Sequence, residues 1–434
     1  MMTETSGRKI GVGERVAKPL GIGVVGVGGG GGNIVSHLSK RGIKNVDFYA
    51  INTDRQALDE LDAGLETIQI GARICDGAGA GGDPEVGRSA AQEDTQLLMS
   101  KFERKRLLFI VSCMGGGTGT GASPVIANHA SHENPGLLTI SILTTPGGGI
   151  GDQTVALASD GIREMRDEVD ALMVVPNNRP GIGMRKRHRE VNELVYEKIN
   201  AIARLLVDTQ VPNIDLADLK ATLSKLDGEA VNMFIGTASL EPDEMQHEVS
   251  ESRDSQARFK GLLAQALDTD WLTIDFGAPI EEGRGVLSFT LGGDEDDEDI
   301  DDITDESSIK QSVEEMQTGA KTSNLKVASF VDDKLPKGAM VATVVLRAAQ
   351  SEYEAAVDEI EEDVVTRSST DYDDESPFDP LSLPTEKELV DLTESADDFE
   401  KVIDDQDDAS PQGSSLDFTA NEDASTELTR KNPS

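Results

Sequence analysis

The sequence predicts an α/β protein in which a parallel-sheet domain is joined by a long central helix to a smaller α+β domain. Short apolar runs without alternation recur through the first 180 residues, as expected for strands buried on both faces of a sheet. Amphipathic segments separate most of these runs, which is the pattern of βαβ units. Further apolar runs cluster late in the chain, after helical segments, which favours an α+β arrangement there.

Each predicted element comes from its own stretch of sequence. The apolar runs expected to form the parallel sheet are 20–27, 46–52, 67–71, 106–114, 137–144 and 171–177. A long helix is predicted from Asn192 to Gln210, because apolar side chains recur there every three to four positions. A shorter helix is expected at about 216–227. The late strands are expected at 234–240, 286–292, 326–331 and 339–348, and the last two are predicted to form a hairpin.

These elements divide the chain into regions. Residues 1–19 are polar and irregular and are expected to be a flexible N-terminal arm. The parallel-sheet domain is predicted at 20–190, the central helix at 191–212 and the α+β domain at 213–348. From 349 to 434 the chain is rich in Asp, Glu, Ser and Pro, which predicts a disordered acidic tail.

The formal net charge of −41 is spread unevenly along the chain. Residues 351–434 hold 27 acids and 5 bases, and 294–306 has ten acids in thirteen positions. Such an excess of acid disfavours binding to nucleic acid or anionic lipid. It suits a cytoplasm of very high salt, so a halophilic source is expected, with an ordinary body carrying an acidic tail as the alternative. The insert 294–306 is expected to be a solvated surface, because it shows no Ca²⁺ or Mg²⁺ ligand loop.

The cysteine content and hydropathy indicate the compartment. Cys75 and Cys113 provide no disulfide framework, which suits a reducing cytosol. The chain has no apolar run of the length, about 18 residues, that would cross a bilayer. A cytoplasmic protein without direct membrane insertion is therefore expected.

Two glycine-rich stretches, each between a predicted strand and a predicted helix, are expected to bind phosphates. They are GVGGGGGN at 26–33 and MGGGTGTG at 114–121. Glycine lets the backbone approach an anion, and free N–H groups at a helix start point at negative charge. Thr118 and Thr120 would add hydroxyl donors. The first stretch also fits GxGxxG, so an NAD-dependent oxidoreductase stays an alternative, although such a domain has no use for the second stretch.

The second stretch resembles the GGGTGTG signature of the tubulin/FtsZ superfamily, in its FtsZ form. Further motifs agree in their order along the chain. They are GVGGGGGN at 26–33, INTDRQAL at 51–58, GAGAGGDPEVGRSA at 77–90, VPNN at 175–178 and NIDLAD at 213–218. The resemblance covers about residues 20–350. It implies a parallel-sheet GTPase domain of tubulin/FtsZ type and a smaller activating domain.

The resemblance implies a cell-division GTPase that binds GTP or GDP with Mg²⁺ and polymerises head to tail with copies of itself. The residues implied to bind the nucleotide are Gly28, Gly29, Gly30, Gly31, Gly32, Asn33, Asn52, Asp54, Ala80, Gly81, Gly116, Gly117, Thr118, Gly119, Thr120, Asn177, His188 and Asn192. Asp215, Asp218 and Asn213 are implied to be catalytic, acting on the nucleotide of the next subunit. Without the resemblance, NxDxxD is interpreted only as a helix N-cap cluster.

The chain departs from the family pattern beside the nucleotide. Ile150 and Thr154 stand where the family carries a Glu and an Arg that contact it, and Asn178 replaces the usual acid. The basic run 185–189 is interpreted either as a solvated loop or as the source of the missing positive charge. The near alternative is therefore an FtsZ-like scaffold or regulator that binds GTP and assembles but hydrolyses slowly.

The resemblance also implies a location at the mid-cell division site and, through the C-terminal tail, binding to membrane adaptors. The final residues match the family's docking peptide only faintly. The apolar islands 377–384 and 415–420 are candidate docking motifs, with an incidental cluster as the alternative. Co-assembly with a second FtsZ-type protein is a further hypothesis.

Overall fold

The computed structural model describes residues 20–147, 150–177, 183–207, 214–225, 228, 230–240, 255–267, 284–292, 310–311, 325–332 and 335–348. The predicted N-terminal arm, the acidic insert and the acidic tail lie outside these residues. So do Asn178 and the predicted catalytic residue Asn213.

The strands follow the apolar runs closely. In chain order they are β1 Ile22–Val27, β2 Val46–Asn52, β3 Glu66–Gln69, β4 Leu107–Cys113, β5 Leu138–Thr144, β6 Ala171–Val175, β7 Val231–Leu240, β8 Gly285–Gly292, β9 Leu325–Asp332 and β10 Met340–Ala348. The helices are α1 Gly28–Arg41, α2 Arg55–Asp59, α3 Ala72–Cys75, α4 Pro84–Glu93, α5 Thr95–Phe102, α6 Gly117–Glu133, α7 Asp152–Glu168, α8 Met184–Val207, α9 Leu216–Leu223 and α10 Ser255–Leu267.

The ten described strands form one sheet in the order β3-β2-β1-β4-β5-β6-β7-β10-β8-β9. Every pair from β3 to β7 is parallel. β10 is antiparallel to both β7 and β8, and β8 is parallel to β9. The α/β prediction is confirmed, and the β6–β7 pair makes the two predicted domains parts of one continuous sheet.

Helices cover both faces of the sheet. On one face, apolar side chains of α1, α8 and α9 pack against the parallel strands. On the other face, α4, α5, α6 and α7 do the same, and α10 covers the late strands β7, β8 and β10. Burial on both faces explains why the parallel strands are continuous apolar runs.

The predicted hairpin between the last two strands is wrong. β10 lies between β7 and β8, and β9 pairs with the far side of β8. The side chains explain the difference, because Ala342, Val344 and Val345 of β10 are fully buried, whereas Lys326 of β9 is exposed. An apolar strand fits the interior of the sheet, and a strand with an exposed lysine fits a position farther out.

The predicted start of the central helix is also wrong. α8 begins at Met184, eight residues before Asn192, so the basic run 185–189 is helical rather than a loop. Its first residues, including Met184, face solvent, and the buried side of the helix begins only at Val191. A helical turn without a buried face leaves no apolar periodicity in the sequence.

Candidate functional site at two glycine-initiated helices

The first glycine stretch is not a loop but the start of α1. Gly28 directly follows β1 and has φ +74°, a backbone conformation that glycine adopts without strain. A Cβ at Gly30 would lie 2.4 Å from Sγ of Cys113, and a Cβ at Gly31 would lie 2.4 Å from the carbonyl oxygen of Val111. These two glycines therefore let α1 pack directly on β4.

The second stretch starts α6, at Gly117. A Cβ at Gly28 would lie 2.8 Å from the backbone nitrogen of Gly119, so the two helix starts are in contact. By contrast, a Cβ at Gly29 or Gly116 would meet nothing within 4 Å. The N–H groups of two helix starts therefore meet beside an open space at the carboxyl ends of β1 and β4, which is an arrangement that binds anions.

The threonines of the second stretch stabilise it from inside. The hydroxyl of Thr118 lies 2.6 Å from that of Thr53, and the hydroxyl of Thr120 accepts a hydrogen bond from the backbone N–H of Gly115 at 2.9 Å. Both threonine side chains are buried. Each hydroxyl thus already has a protein partner, and Thr53, which the sequence analysis did not single out, belongs to the support of the site.

The stretch 77–90, which contains Ala80 and Gly81, packs on the start of α6. Asp54 caps α2 by accepting from the backbone N–H of Ala57 at 3.1 Å, and it pairs with Ala78 in a single β-bridge. A Cβ at Gly117 would lie 2.9 Å from Cβ of Ala80, whereas a Cβ at Gly81 would meet nothing within 4 Å. Asp54 and Ala80 therefore shape the site from its edge.

A pocket brings together several of the predicted nucleotide-binding residues. It is lined by Gly28, Gly29, Gly32, Asn33, Asn52, Ala57, Leu58, Glu60 and Leu61. Asn52 ends β2 and is buried. The carboxyl ends of β1 and β2 and the first turns of α1 form this concave surface.

The carboxyl ends of β5 and β6 form the other side of the site. Asn177 follows β6, and its backbone N–H donates to the hydroxyl of Thr145 at 3.1 Å. A Cβ at Gly115 would lie 2.7 Å from Cγ2 of Thr154, so Thr154 covers the second glycine stretch. Thr154 carries no charge, and Ile150 is 46% exposed. Neither position supplies a charged contact.

The first half of α8 is anchored to α1 beside Asn192. Glu193 accepts from Nη2 of Arg41 at 2.8 Å, and its other oxygen lies 3.1 Å from Nε2 of His37. Asn192 is half-buried, whereas His188 is exposed. The contacts of Glu193 therefore hold α8, which carries Asn192, against α1, whose first turn forms part of the glycine site.

The two described acids of the NxDxxD motif form an N-cap of α9. Oδ1 of Asp215 accepts from the backbone N–H groups of Ala217 and Asp218 at 2.7 and 3.0 Å, and Oδ2 of Asp218 accepts from the N–H of Asp215 at 3.0 Å. Oδ1 of Asp218 lies 3.5 Å from Nζ of Lys326. Asp215 is exposed, so a carboxylate faces outward from this end of the molecule.

These acids lie at the edge of the sheet opposite the glycine stretches. Lys220 of α9 donates to the carbonyl of Gly136, which precedes β5, and Lys225 donates to the carbonyl of Asp167 at the end of α7. The strands between the two edges are up to seven residues long, which separates the edges by about 20 Å. One molecule therefore cannot bring Asp215 or Asp218 to its own glycine stretches.

An ion pair with two hydrogen bonds joins α4 to α7, next to the helix that begins at the second glycine stretch. Arg88 of α4 donates to both carboxylate oxygens of Glu164 in α7, one of them at 2.6 Å. The hydrogen bond to Glu164 raises the pKa of Arg88.

Burial raises the pKa of the Cys113 thiol beside Gly30, which keeps it protonated and unreactive.

The described residues hold neither a candidate metal site nor a candidate membrane-spanning helix. Within the described ranges no three His, Cys, Asp or Glu side chains group as metal ligands would. The part of the chain that the structure describes also holds no helix long and apolar enough to cross a membrane.

Comparison with known proteins shows what the domain that carries the glycine stretches is similar to. Residues 21–180 match the model of the "Tubulin/FtsZ family, GTPase domain". The cell division protein FtsZ of Buchnera aphidicola (subspecies Schizaphis graminum) is 40% identical over 209 residues, which are 47% of this chain and 54% of that protein. The chain thus spans about half the length of the curated relatives it matches.

Solved structures share the fold over most of the chain. An empty FtsZ dimer from M. jannaschii has a TM-score of 0.60 at 24% identity, covering 77% of this chain and 90% of its own. A GTPγS-bound protofilament of CetZ2 from Haloferax volcanii has a TM-score of 0.62 at 21% identity, covering 81% and 100%. At this identity the likeness is one of fold.

Proposed function

We propose that this chain is a filament-forming GTPase of cell division, because its residues 21–180 match the GTPase domain of the tubulin/FtsZ family. GTP binds at the starts of α1 and α6, and it is hydrolysed at the interface between successive subunits. The observation that carries this proposal is that the glycine-initiated helices and the outward-facing Asp215 lie at opposite edges of one sheet. Stacked copies bring the two together.

The glycine site fits the phosphates of GTP. The open space at Gly29 and Gly116 admits a phosphate chain, and the adjoining helix starts supply N–H donors. Mg²⁺ in such sites is held largely by phosphate oxygens and water, so a dedicated cluster of protein ligands is not required. When bound, Mg²⁺ supplies charge neutralisation for phosphoryl transfer.

The acids Asp215 and Asp218 supply the carboxylates for hydrolysis that the glycine stretches do not provide. Phosphoryl transfer depends on positioning and on charge stabilisation, and hydrolysis needs an oriented water. Asp215 and Asp218, with Asn213 beside them in sequence, orient this water on the nucleotide of the neighbouring subunit. The CetZ2 structure with GTPγS is itself a protofilament, which supports assembly by stacking of this fold.

The proposal extends to location and partners. We expect a cytoplasmic protein at the mid-cell division site, bound to membrane adaptors through its C-terminal tail. The Buchnera relative is named a cell division protein, which supports the first part. Co-assembly with a second FtsZ-type protein is a further part of the proposal.

Turnover of GTP as a function of protein concentration tests the shared site. Neither end of a subunit holds both the glycines and the acids, so the rate per molecule should fall steeply below a threshold concentration. A rate per molecule that stays constant down to high dilution would contradict hydrolysis at an interface.

Replacing Asp215 by Asn separates its two roles. Asn is as good an N-cap as Asp, so the variant should keep its thermal stability and its GTP affinity. It lacks the carboxylate, so turnover should fall about a hundredfold or more, which is the lower range for loss of a general base. Asp215→Ala is the companion variant, and it should also lose roughly 1 kcal/mol of stability with the cap.

A second candidate is an FtsZ-like scaffold that binds GTP and assembles but hydrolyses slowly. The uncharged Ile150 and Thr154 beside the site favour it. GTP-dependent assembly, seen by light scattering with little phosphate release at any protein concentration, would identify this function.

The oxidoreductase alternative has one structural point in its favour. The strand order β3-β2-β1-β4-β5-β6 is also that of dinucleotide-binding domains. The family match and the second glycine-initiated helix oppose it. Parallel binding assays with GTP and NAD distinguish the two functions.

A further inference from the structure

A lysine of β9 contacts the acid pair at the start of α9. Nζ of Lys326 lies 3.5 Å from Oδ1 of Asp218. Lys326 is in register with Val286 of the neighbouring strand β8. Arg284, which directly precedes β8, donates to the carbonyl of Ala221 in α9 at 3.4 Å. Cationic side chains at the starts of two neighbouring strands therefore hold α9, and one of them reaches an acid of the NxDxxD motif.

Hydrogen bonds continue from this ion pair to the other acid. Oδ1 of Asp218 faces Lys326, and Oδ2 of Asp218 accepts from the backbone N–H of Asp215 at 3.0 Å. Oδ1 of Asp215 accepts from the N–H groups of Ala217 and Asp218. Within the part of the chain that the structure describes, no hydrogen bond or ion pair reaches Oδ2 of Asp215. This oxygen is therefore free to accept from a water molecule, whereas the other three carboxylate oxygens are held.

We propose that Lys326 is a positioning residue for GTP hydrolysis, which acts by holding Asp218. This proposal rests on the proposed function, because Asp215 and Asp218 act there on the nucleotide of the neighbouring subunit. The ammonium group fixes the direction of the Asp218 carboxylate, whose other oxygen holds the backbone at Asp215. The free oxygen of Asp215 therefore faces the attacking water from a defined position. The rate of phosphoryl transfer depends on such positioning and falls steeply when a reacting group is displaced.

Two simpler roles for Lys326 explain less of the geometry. A lysine on an outer strand can hinder pairing with a further strand, but that role needs no acid partner. An ion pair can also stabilise the fold, but the side chains of Lys326 and Asp218 are 47% and 25% exposed, and ion pairs so open to water stabilise a protein weakly. The loss of Lys326 is therefore expected to affect the rate of hydrolysis more than the stability.

The test measures GTP turnover per subunit above the assembly threshold, together with GTP affinity and the threshold itself. Lys326→Met removes the charge and keeps an unbranched side chain, so turnover should fall about tenfold. GTP affinity and the assembly threshold should stay within about twofold of the wild type, as expected when an interaction that serves only the chemical step is lost. Lys326→Arg restores the cation and should recover about half of the wild-type rate or more.

Lys40 provides a matched control. It also forms a half-exposed surface ion pair with an aspartate, at 2.7 Å from Oδ2 of Asp62, but it lies in the last turn of α1 and touches neither acid of the motif. Lys40→Met should turn over GTP as the wild type does. A loss in Lys40→Met equal to that in Lys326→Met would attribute the effect to net charge and would overturn the proposal.

A double variant determines whether Lys326 acts through Asp218. If it does, Lys326→Met should change turnover by less than about twofold in an Asp218→Asn background, because the carboxylate that Lys326 holds is already gone. Single-turnover release of radiolabelled phosphate detects the slow hydrolysis expected in this background. A further loss of about tenfold there would overturn the positioning role, and it would indicate a direct contact of Lys326 with the phosphates of the neighbouring subunit.

The other outcomes also decide the proposal. Wild-type turnover in Lys326→Met would overturn it, and so would a loss that Lys326→Arg does not restore. A raised assembly threshold or a weaker GTP affinity that accounts for the whole loss would overturn it as well, because Lys326 would then serve assembly or folding. If wild-type turnover does not depend on protein concentration, the shared site itself fails, and this failure of the proposed function is distinguishable from a failure of Lys326 alone.

Discussion

Neighbouring glycines of α1 differ in what surrounds them. A Cβ at Gly31 would lie 2.4 Å from the carbonyl oxygen of Val111, a backbone atom that cannot move aside, whereas a Cβ at Gly29 would meet nothing within 4 Å. Gly31 therefore serves the packing of α1 on β4. Gly29 leaves room for a ligand.

Alanine substitutions at these two positions should have opposite effects. Gly31→Ala overpacks the interface between α1 and β4 and should lower the free energy of unfolding by roughly 1–3 kcal/mol. Gly29→Ala should keep or slightly raise it, because alanine favours a helix by about 1 kcal/mol over glycine. Its methyl group enters the open space in which we propose that the phosphates bind, however, so GTP affinity should fall.

Thermal unfolding and nucleotide titration of the two variants check this prediction. Gly29→Ala is the control for Gly31→Ala, since both add the same methyl group to the same helix. Equal stability of the two variants would contradict the packing role of Gly31. Unimpaired GTP binding by Gly29→Ala would contradict the phosphate position.

The sequence located the glycine site but not its conformation. Strand, glycines and helix were recognisable in order, because the strands are apolar and the helices amphipathic. Gly28 to Gly32 were expected to lie between the strand and the helix, since glycine is a poor helix former, and only the contacts with Cys113 and Val111 show why the helix needs them. The support from Thr53 depends on a contact across 65 residues, which no local pattern predicts.

At the level of single elements, α8 carries a buried lysine. Lys198 is 4% exposed and lies between Val195 and Ile202 of the apolar face. Burial lowers its pKa from the ordinary value of 10.5, and Glu197 opposes this shift only in part. Burying an amine without full compensation costs free energy, so this residue weakens the helix that links the two halves of the sheet.

Lys198→Met should therefore raise the free energy of unfolding, on the order of 1 kcal/mol. The pKa is lower in the folded than in the unfolded protein, so the unfolded state binds more protons between the two values. Wild-type stability should thus rise with pH in the window below 10.5, and the advantage of Lys198→Met should shrink there. Urea unfolding at several pH values measures it, and an advantage independent of pH would contradict the role of the charge.

The contact of α8 with α1 should also affect binding. Glu193→Ala removes the partner of His37 and Arg41 and should cost up to about 1 kcal/mol of stability, the range for a partly exposed ion pair. Because Asn192 is the next residue, GTP affinity should fall a few-fold. Arg204→Ala changes an exposed residue of the same helix and should do neither. Unchanged GTP affinity in Glu193→Ala would separate this contact from the site.

The position of a helix or strand was predicted well where the element buries an apolar face. The pairing of two strands was predicted poorly where they lie far apart in the sequence. The apolar runs located the strands to within a few residues. The partner of β10 was missed, because β7 precedes it by about a hundred residues and nearness in sequence favoured β9. The first two turns of α8 were missed because they bury no continuous face, although they carry the basic run 185–189.

For the whole molecule, the glycines and the acids lie at opposite edges of the sheet, so the proposed function requires assembly before hydrolysis. β6 and β7 pair directly, with Ala171 opposite Val231, so both edges belong to one sheet. The helix α8 has 24 residues, is about 36 Å long and packs on one face of the sheet. In the proposed filament, the sheet therefore determines the distance between the α9 end and the glycine end of each subunit.

Net charge should make the stability of the molecule depend on salt. With 81 acids against 40 bases, repulsion among carboxylates exceeds attraction within surface ion pairs such as Lys40–Asp62, each worth about 1 kcal/mol or less. Raising KCl from about 0.1 to 1 M shortens the screening length from about 10 to 3 Å. The melting temperature should therefore rise, by roughly 2–4 °C for each kcal/mol of repulsion removed. Potassium acetate at equal ionic strength should raise the melting temperature by the same amount. A rise with sulfate alone would indicate exclusion of salt from the protein surface. A lower melting temperature in KCl would mean that attraction within ion pairs outweighs the repulsion among carboxylates.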